Sequence, residues 1–67
     1  MPSEAVEQGL RERIAAGEWQ PGEQLPSTGQ LADQYRTSKE TCARVLRKLA
    51  GEGLVIIRNR WGSFLPE

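Results

Sequence analysis

The fold of this chain is decided by the stretch Ser38-Lys39-Glu40-Thr41-Cys42-Ala43-Arg44-Val45-Leu46-Arg47-Lys48-Leu49. Its apolar side chains recur at i, i+3, i+4 and i+7, which is the spacing of one side of an amphipathic helix. Glu40, Arg44 and Arg47 project from the opposite side. Because Ser38 is a favourable N-cap and Gly53 a favourable C′ residue, a helix is predicted over about residues 38–52. One side should lie in a core and the other should be exposed.

A shorter helix is predicted directly upstream. Ser27-Thr28-Gly29-Gln30 has the Ser-x-x-Gln form of a capping box, which predicts a helix over residues 28–35. The residues expected to face inward are Leu31, Ala32 and Tyr35. Only Arg36-Thr37 remain to turn the chain before Ser38 caps the next helix. Two helices joined by so brief a turn form a helix-turn-helix.

The N-terminal third of the chain predicts another helix and a turn. Apolar residues at i, i+4 and i+8 predict a helix over about residues 4–16, with Ser3 as a candidate N-cap and Gly17 as its left-handed stop. These apolar residues are Val6, Leu10 and Ile14. Pro21-Gly22 fits the centre of a type II turn. Trp19 beside it is interpreted as a core residue rather than a ligand-stacking ring.

Two apolar runs follow the long helix and flank a polar one. Residues 54–57 are rich in β-branched side chains, residues 58–62 are polar and turn-like, and Ser63-Phe64-Leu65 are again mostly apolar. This order predicts a β-hairpin with Arg58 and Arg60 at its tip. Residues 1–67 are therefore predicted to form one domain, mainly α with a small β part. Three helices followed by a β-hairpin wing make a winged helix-turn-helix.

Composition excludes several function classes. The 67 residues include no His and a single Cys, so neither a His/Cys metal site nor an internal disulfide is supported. A chain of this length has no room for an enclosed active-site cleft, and no phosphate-binding loop is present, so we expect no catalytic residues, no cofactor and no metal. The sequence contains neither a membrane-spanning run nor a signal peptide. These features predict a protein of the reducing cytoplasm that makes no membrane contact.

Charge is balanced overall but divided along the chain. The formal net charge is zero. Residues 1–24 carry five Glu against two Arg, whereas residues 25–67 carry seven basic side chains against four acidic ones. Since phosphate contacts supply much of the affinity for nucleic acid, only the second part suits such a partner.

Several motifs together resemble a known family. They are Gly17-Glu18-Trp19-x-Pro21-Gly22-x-x-Leu25-Pro26-Ser27, Leu31-Ala32-x-x-Tyr35, Ser38-Lys39-x-Thr41, Leu49-x-x-Glu52-Gly53-Leu54-Val55 and Gly62-Ser63-Phe64. In this order and spacing they resemble the DNA-binding domain of the GntR family of bacterial transcription regulators. The resemblance covers nearly the whole chain. It implies a winged helix-turn-helix that binds operator half-sites in double-stranded DNA as a homodimer.

The resemblance also implies how the domain meets DNA. The second helix begins at the DNA backbone, the third helix (38–52) enters the major groove by its N-terminal end, and the wing (58–62) touches the minor groove. The residues that fall at these places are Ser27, Thr28, Ser38, Lys39, Glu40, Thr41, Asn59 and Arg60. Three departures from the family pattern, at Thr28-Gly29, Ala43 and Arg60, bear on the DNA sequence read rather than on DNA binding itself.

The chemistry of these side chains suits DNA. Lys39 and Arg44 lie in the first turns of the third helix, and we expect Arg44 to read a guanine through its O6 and N7 atoms. Glu40, four residues earlier, either pairs with Arg44 or accepts from a cytosine amino group. The hydroxyls at the helix starts either hold a phosphate or only cap the helix. Arg58 and Arg60 suit a minor groove or a flanking phosphate, the alternative being charges that prevent edge pairing.

Two further residues leave a choice open. Cys42 lies on the apolar side of its helix, so a buried structural thiol is favoured over a redox sensor. Trp61 in the wing either stacks on a sugar or packs under the hairpin.

The functional prediction is a sequence-specific DNA-binding domain of a bacterial transcription regulator, most simply a repressor. The alternative is a winged helix that binds another protein, which the zero net charge permits. In the GntR family a C-terminal domain binds a small effector and contributes most of the dimer contact. The resemblance therefore implies dimerisation through a region absent from this chain, and an effector only if such a domain exists.

Overall fold

The computed structural model describes residues 2–67 and has the predicted order of elements. Three helices precede an antiparallel hairpin: α1 (Ser3–Ala15), α2 (Thr28–Tyr35), α3 (Lys39–Gly51), β1 (Ile56–Arg58) and β2 (Gly62–Phe64). The prediction of a winged helix-turn-helix, mainly α with a small β part, is confirmed.

The starts of α2 and α3 follow from local hydrogen bonds. Ser27 Oγ accepts from the backbone N–H of Gln30 at 3.1 Å, and the Gln30 side chain accepts from the N–H of Ser27 at 2.9 Å. The predicted capping box is therefore present. Ser38 Oγ likewise accepts from the N–H of Thr41 at 3.0 Å. Both caps satisfy backbone donors that the first turn of a helix leaves without a partner.

The predicted cap of α1 is wrong. Pro2, with extended backbone angles, is the N-cap, and no side chain caps this helix. The Pro2 carbonyl accepts from the N–H groups of Ala5 and Val6 at 3.1 and 3.2 Å, so Ser3 already lies in the first helical turn. Proline is well suited to a helix start because its missing N–H would have no intrahelical partner there.

The turn between α2 and α3 depends on one left-handed residue. Arg36 has φ 52° and ψ 53° and is the C-cap of α2. The N–H of Thr37 then donates to the carbonyl of Ala32 at 2.9 Å. The chain reverses within Arg36, Thr37 and Ser38, which sets α3 at the angle to α2 that a helix-turn-helix requires.

The three helices share one core beneath the hairpin. Its buried members include Val6, Leu10, Trp19, Leu25, Leu31, Ala32, Cys42, Val45, Leu46, Leu49 and Val55. Trp19 is a core residue, as predicted, and only 7% of it is exposed. Cys42 is a free and fully buried cysteine, which confirms the structural interpretation because a redox sensor needs an accessible thiolate. Burial also raises the pKa of its thiol. Burying such side chains stabilises the fold by about 25 cal/mol per Å² of apolar surface.

Arg13 joins α1 to the turn and to α2. Its guanidinium donates to the Glu18 carboxylate at 2.6 and 2.8 Å and lies 4.8 Å from the centre of the Trp19 ring. It also donates to the hydroxyl of Tyr35 at 3.1 Å. The Tyr35 ring packs on Gly9, where an added Cβ would lie 3.0 Å from ring atom Cε1. Close packing against Tyr35 therefore explains why a glycine stands at position 9 of α1.

A second set of charges ties α1 to the end of α3. Arg11 contacts the carboxylates of Glu7 and Glu52 at 2.7 Å each, and the Lys48 ammonium lies 3.1 Å from Glu7 Oε1. The Arg11 hydrogen bond, with Lys48 in second place, lowers the pKa of Glu7. Arg11 also lowers the pKa of Glu52. These carboxylates bind protons less readily in the folded chain than in the unfolded one.

Acid should therefore weaken the fold. A lowered carboxyl pKa contributes stability that is complete above the ordinary value of 4.5 and is lost as the pH falls below it through the folded-state pKa. We expect the urea midpoint to fall steeply below about pH 4.5, and Glu7→Gln to flatten that dependence. Glu12→Gln, on the exposed side of α1, is the matched control and should leave the pH profile unchanged. A profile that Glu7→Gln does not alter would contradict the assignment.

The hairpin begins later than the sequence predicts. Leu54 donates its N–H to the carbonyl of Leu49 at 3.0 Å, which completes the end of α3, and Val55 packs into the core. Pairing then runs from Ile56 opposite Phe64 to Arg58 opposite Gly62. Upstream of α2, Gln24 forms a single antiparallel bridge with Phe64. This bridge anchors the wing to the loop before α2.

The wing tip contains a second left-handed residue. Arg60 has φ 74°, while the N–H of Trp61 donates to the carbonyl of Arg58 at 3.0 Å. Arg60 is thus the third residue of a tight turn, in a conformation that costs an L-residue other than glycine roughly 1–2 kcal/mol. A glycine would adopt this conformation without that cost, because it has no Cβ.

Arg60→Gly should therefore stabilise the domain. We expect the free energy of unfolding to rise by about 1 kcal/mol, since relief of the left-handed strain exceeds the added entropy of the unfolded chain. The control is Arg58→Ala, which removes a charge from the adjoining strand without relieving strain and should not stabilise the fold. Urea unfolding of both variants measures the effect, and an Arg60→Gly midpoint at or below that of the wild type would contradict the assignment of strain.

Candidate nucleic-acid interface

A groove of about 420 Å³ opens between the start of α2, the outer side of α3 and the wing. We call it the wing groove; its lining residues are Ser27, Thr28, Ala43, Leu46, Arg47, Ile57, Arg58, Asn59, Arg60, Gly62 and Ser63. Within the described chain this lining contains three arginines and no carboxylate. Five of the ten residues predicted to contact DNA border this one groove: Ser27, Thr28, Arg58, Asn59 and Arg60.

At the α2 edge the Ser27 side chain is already engaged. Its Oγ accepts from Gln30 within the capping box, whereas Thr28 makes no such bond among the described residues. The side chain of Lys39 extends from α3 to this edge. Its Cε atom would lie 3.4 Å from a Cβ built on Gly29. The absence of a side chain at position 29 leaves room for the lysine there. The structure therefore brings the Lys39 cation to the start of α2.

At the start of α3 two hydroxyls bond to each other. Ser38 Oγ lies 2.9 Å from Thr41 Oγ1, in addition to its bond with the N–H of Thr41. Of the two roles considered from the sequence, capping is thus present for Ser38. Lys39 and Glu40 are exposed beside this pair. The exposed first turn of α3 is what a partner would meet.

Arg44 is exposed on the outer side of α3 but lies toward α1 rather than the wing. It borders a smaller groove of about 270 Å³ with Ser3, Glu4, Glu7, Val45 and Lys48. The proposed ion pair with Glu40 is not formed in residues 2–67, where the four salt bridges involve neither residue. An exposed pair four residues apart on a helix gains only a few tenths of a kcal/mol, so solvation competes with it readily.

The ion pairs explain how a chain of zero net charge presents a basic surface. Three carboxylates on or near the α1 side are neutralised by Arg11, Arg13 and Lys48. Five other cations of α3 and the wing belong to no ion pair within residues 2–67: Lys39, Arg44, Arg47, Arg58 and Arg60. Positive charge is therefore left available on the side that carries the exposed face of α3 and the wing.

The tip of the wing exposes a large aromatic ring. Trp61 is 72% exposed, so packing under the hairpin, one of the two possibilities from the sequence, is wrong. Among residues 2–67, no group of three or more His, Cys, Asp or Glu side chains could hold a metal ion. In that part of the chain, no helix combines the length and apolar character needed to cross a membrane.

A comparison of the sequence with known families decides the classification. Residues 2–65 match the family described as "Bacterial regulatory proteins, gntR family". The chain belongs to the GntR family. The chain thus carries the winged-helix, DNA-binding domain of this family of regulatory proteins, in agreement with the prediction from sequence.

Individual relatives agree with this classification. The chain is 38% identical over 64 residues to the "Histidine utilization repressor" of Klebsiella aerogenes. The matched region covers 96% of this chain but only 27% of that relative. Among solved structures, a "GntR family transcriptional regulator from Listeria monocytogenes" is 20% identical and superposes with a TM-score of 0.90, over 100% of this chain and 60% of that one. At that identity it supports the fold alone.

One related structure includes DNA. "S. agalactiae BusR in complex with its busAB-promotor DNA" is 25% identical, with a TM-score of 0.86, and the match covers 97% of this chain and 32% of that one. The GntR fold described here is therefore also found in a protein seen bound to promoter DNA.

The sequence interpretation left six groove residues of this GntR domain out of the candidate site, among them Arg47 and Ile57. Arg47 lies one turn after Ala43 and faces the wing groove with it, and Ile57, 41% exposed, forms part of the opposite wall. The helical period already placed Arg47 on the charged side of α3. Which part of that side faces the wing depends on how the hairpin folds back, and no local pattern specifies this.

Proposed function

We propose that this GntR domain recognises operator DNA, with α3 in the major groove and the wing in the minor groove. The supporting observation is the placement of unpaired cations on the exposed face of α3 and along the wing. The residues we assign to the interface are Ser27, Thr28, Ser38, Lys39, Glu40, Thr41, Arg44, Arg58, Asn59 and Arg60. Side chains at the start of α3 reach base edges, and those of α2 and the wing hold the backbone.

The roles within this interface differ by chemistry. Arg44 donates two hydrogen bonds to a guanine, and Lys39, placed between α2 and α3, meets a phosphate or a neighbouring base. Since Thr28 has no capping bond in the described chain, its hydroxyl is available to a phosphate at the α2 start, where exposed N–H groups favour anions. The carboxylate of Glu40 disfavours a nearby phosphate and suits a cytosine amino group.

The whole regulator that would contain this domain is proposed as a repressor that acts in the bacterial cytoplasm. The similarity to "Histidine utilization repressor" sequences supports repression. Dimerisation through a region outside this chain would place two domains on neighbouring half-sites. A small-molecule effector enters this proposal only if the whole regulator contains a further domain, as the resemblance to the family implies.

A titration of the isotope-labelled domain with a mixed-sequence DNA duplex tests DNA binding. Amide shifts should cluster at residues 27–29, 38–44 and 58–62 and should diminish between low and high salt, since binding releases about 0.9 counterion per neutralised phosphate. A single domain makes few contacts, so we expect a dissociation constant near 10⁻⁴ M, roughly the weak end of non-specific binding. The absence of any response at low salt would contradict DNA binding and would favour the alternative, a winged helix that binds another protein.

A further inference from the structure

Trp61 is the most exposed large apolar residue of the described chain. It is 72% exposed, against 39% for Ile56 and 41% for Ile57, while the other tryptophan, Trp19, is 7% exposed. An indole left in water at the end of a hairpin contributes nothing to the core. Exposed aromatic rings of this kind are typical of binding sites, where they bury large area with few rotatable bonds.

The backbone of Trp61 is fixed at both of its polar groups. Its N–H donates to Arg58 across the tight turn at 3.0 Å, and its carbonyl accepts from Nε2 of Gln24. The next residue, Gly62, lies so close to Gln24 that an added Cβ would be 2.8 Å from Nε2. The loop before α2 therefore supports the wing tip, and the ring is presented from a prearranged backbone, which reduces the entropy lost on binding.

We propose that Trp61 is a DNA-contacting residue, which lays its indole against the deoxyribose wall of the minor groove. This inference rests on the proposed function of the domain. Arg58 and Arg60 flank the ring, and no acidic residue occurs in residues 56–64, so the surroundings favour a polyanion over an acidic or neutral protein surface. The sugar walls are the apolar part of the minor groove, and an indole covers them without reading base identity.

This role predicts a contribution to affinity that does not depend on salt. Trp61→Ala should weaken binding to every duplex by about 5-fold or more, because the apolar sugar surface that the indole covers stays in water in the variant. The slope of log affinity against log salt concentration should stay unchanged, because no phosphate contact is lost. Arg58→Ala is the matched comparison and should make the slope shallower by about 0.9. Trp61→Phe should retain most of the affinity.

Fluorescence gives a second readout. Trp19 is buried, so the difference in emission between the wild-type chain and Trp61→Phe reports on Trp61. Addition of duplex DNA should quench this difference spectrum and shift it to the blue as the ring leaves water. Because Trp61 is exposed, Trp61→Ala should unfold at the same urea concentration as the wild type, which separates binding from stability.

The outcomes distinguish this inference from the proposal on which it rests. Salt-dependent DNA binding by the wild type that Trp61→Ala retains in full would overturn the role of Trp61 and leave the proposed function intact. An unchanged Trp61 emission at saturating DNA would do the same. Failure of the wild type to bind DNA at low salt would overturn both.

Discussion

Two copies of the domain joined after Glu67 through a dimeric coiled coil should bind an inverted-repeat duplex about 10² to 10⁴ times more tightly than one copy. The first domain to dock holds the second near its half-site, so the second association becomes intramolecular. The half-site can be selected from a random duplex library with the fusion itself. Two half-sites centred about one helical turn, 10–10.5 base pairs, apart then provide the test duplex.

The same duplex with one half-site scrambled is the control for this experiment. The fusion should bind it little better than a single domain binds the intact site. Equal affinities of fusion and monomer for the intact site would exclude recognition of paired half-sites, whereas the salt dependence of the monomer would still report on DNA contact itself.

Arg44→Ala should reduce affinity for the selected half-site by about 1–3 kcal/mol, or roughly 5- to 150-fold, and should relax the preference at one base pair. The reason is the loss of both hydrogen bonds from the guanidinium to a guanine. Competition binding against duplexes that vary one base pair at a time measures the change in preference. Stability should hardly change, because Arg44 is exposed and takes part in none of the four salt bridges of residues 2–67.

Lys48→Ala is the matched control for Arg44. It removes one positive charge from the same side of α3, but from a side chain that is 3.1 Å from Glu7. We expect it to leave base preference intact. If both variants weaken binding equally on all sequences, Arg44 acts only as a positive charge near the backbone and reads no base.

Most of the local structure could be predicted because its causes lie within four residues along the chain. The capping box of Ser27 and Gln30 and the Ser38 cap are bonds between residues three apart, and the apolar side of α3 is a 3.6-residue repeat. Where such local rules compete, prediction failed. Pro2, not Ser3, is the N-cap of α1. Leu54 completes the end of α3 and Val55 packs into the core, so neither residue belongs to the strand that the sequence predicted.

The candidate site divides in the same way. The sequence placed charged residues at the start of α3 and on the wing, and the structure leaves those cations exposed. It did not indicate that Arg47 faces the wing while Arg44 faces α1, because this depends on how the hairpin returns across α3. The exposure of Trp61 also follows from the support that Gln24 gives the tip, 37 residues away.

The sequence by itself determined the order of elements, the caps of α2 and α3 and the side of each helix that is buried, since each depends on neighbouring residues. Only the tertiary structure decided which charges cancel. Arg11 meets Glu52 and Lys48 meets Glu7, each across 41 residues, so that these carboxylates are paired, while Lys39, Arg44 and Arg47 of α3 and the two arginines of the wing form no ion pair within residues 2–67. Packing of α1 on α3 creates those contacts, and a chain of zero net charge thereby keeps unpaired cations on α3 and the wing.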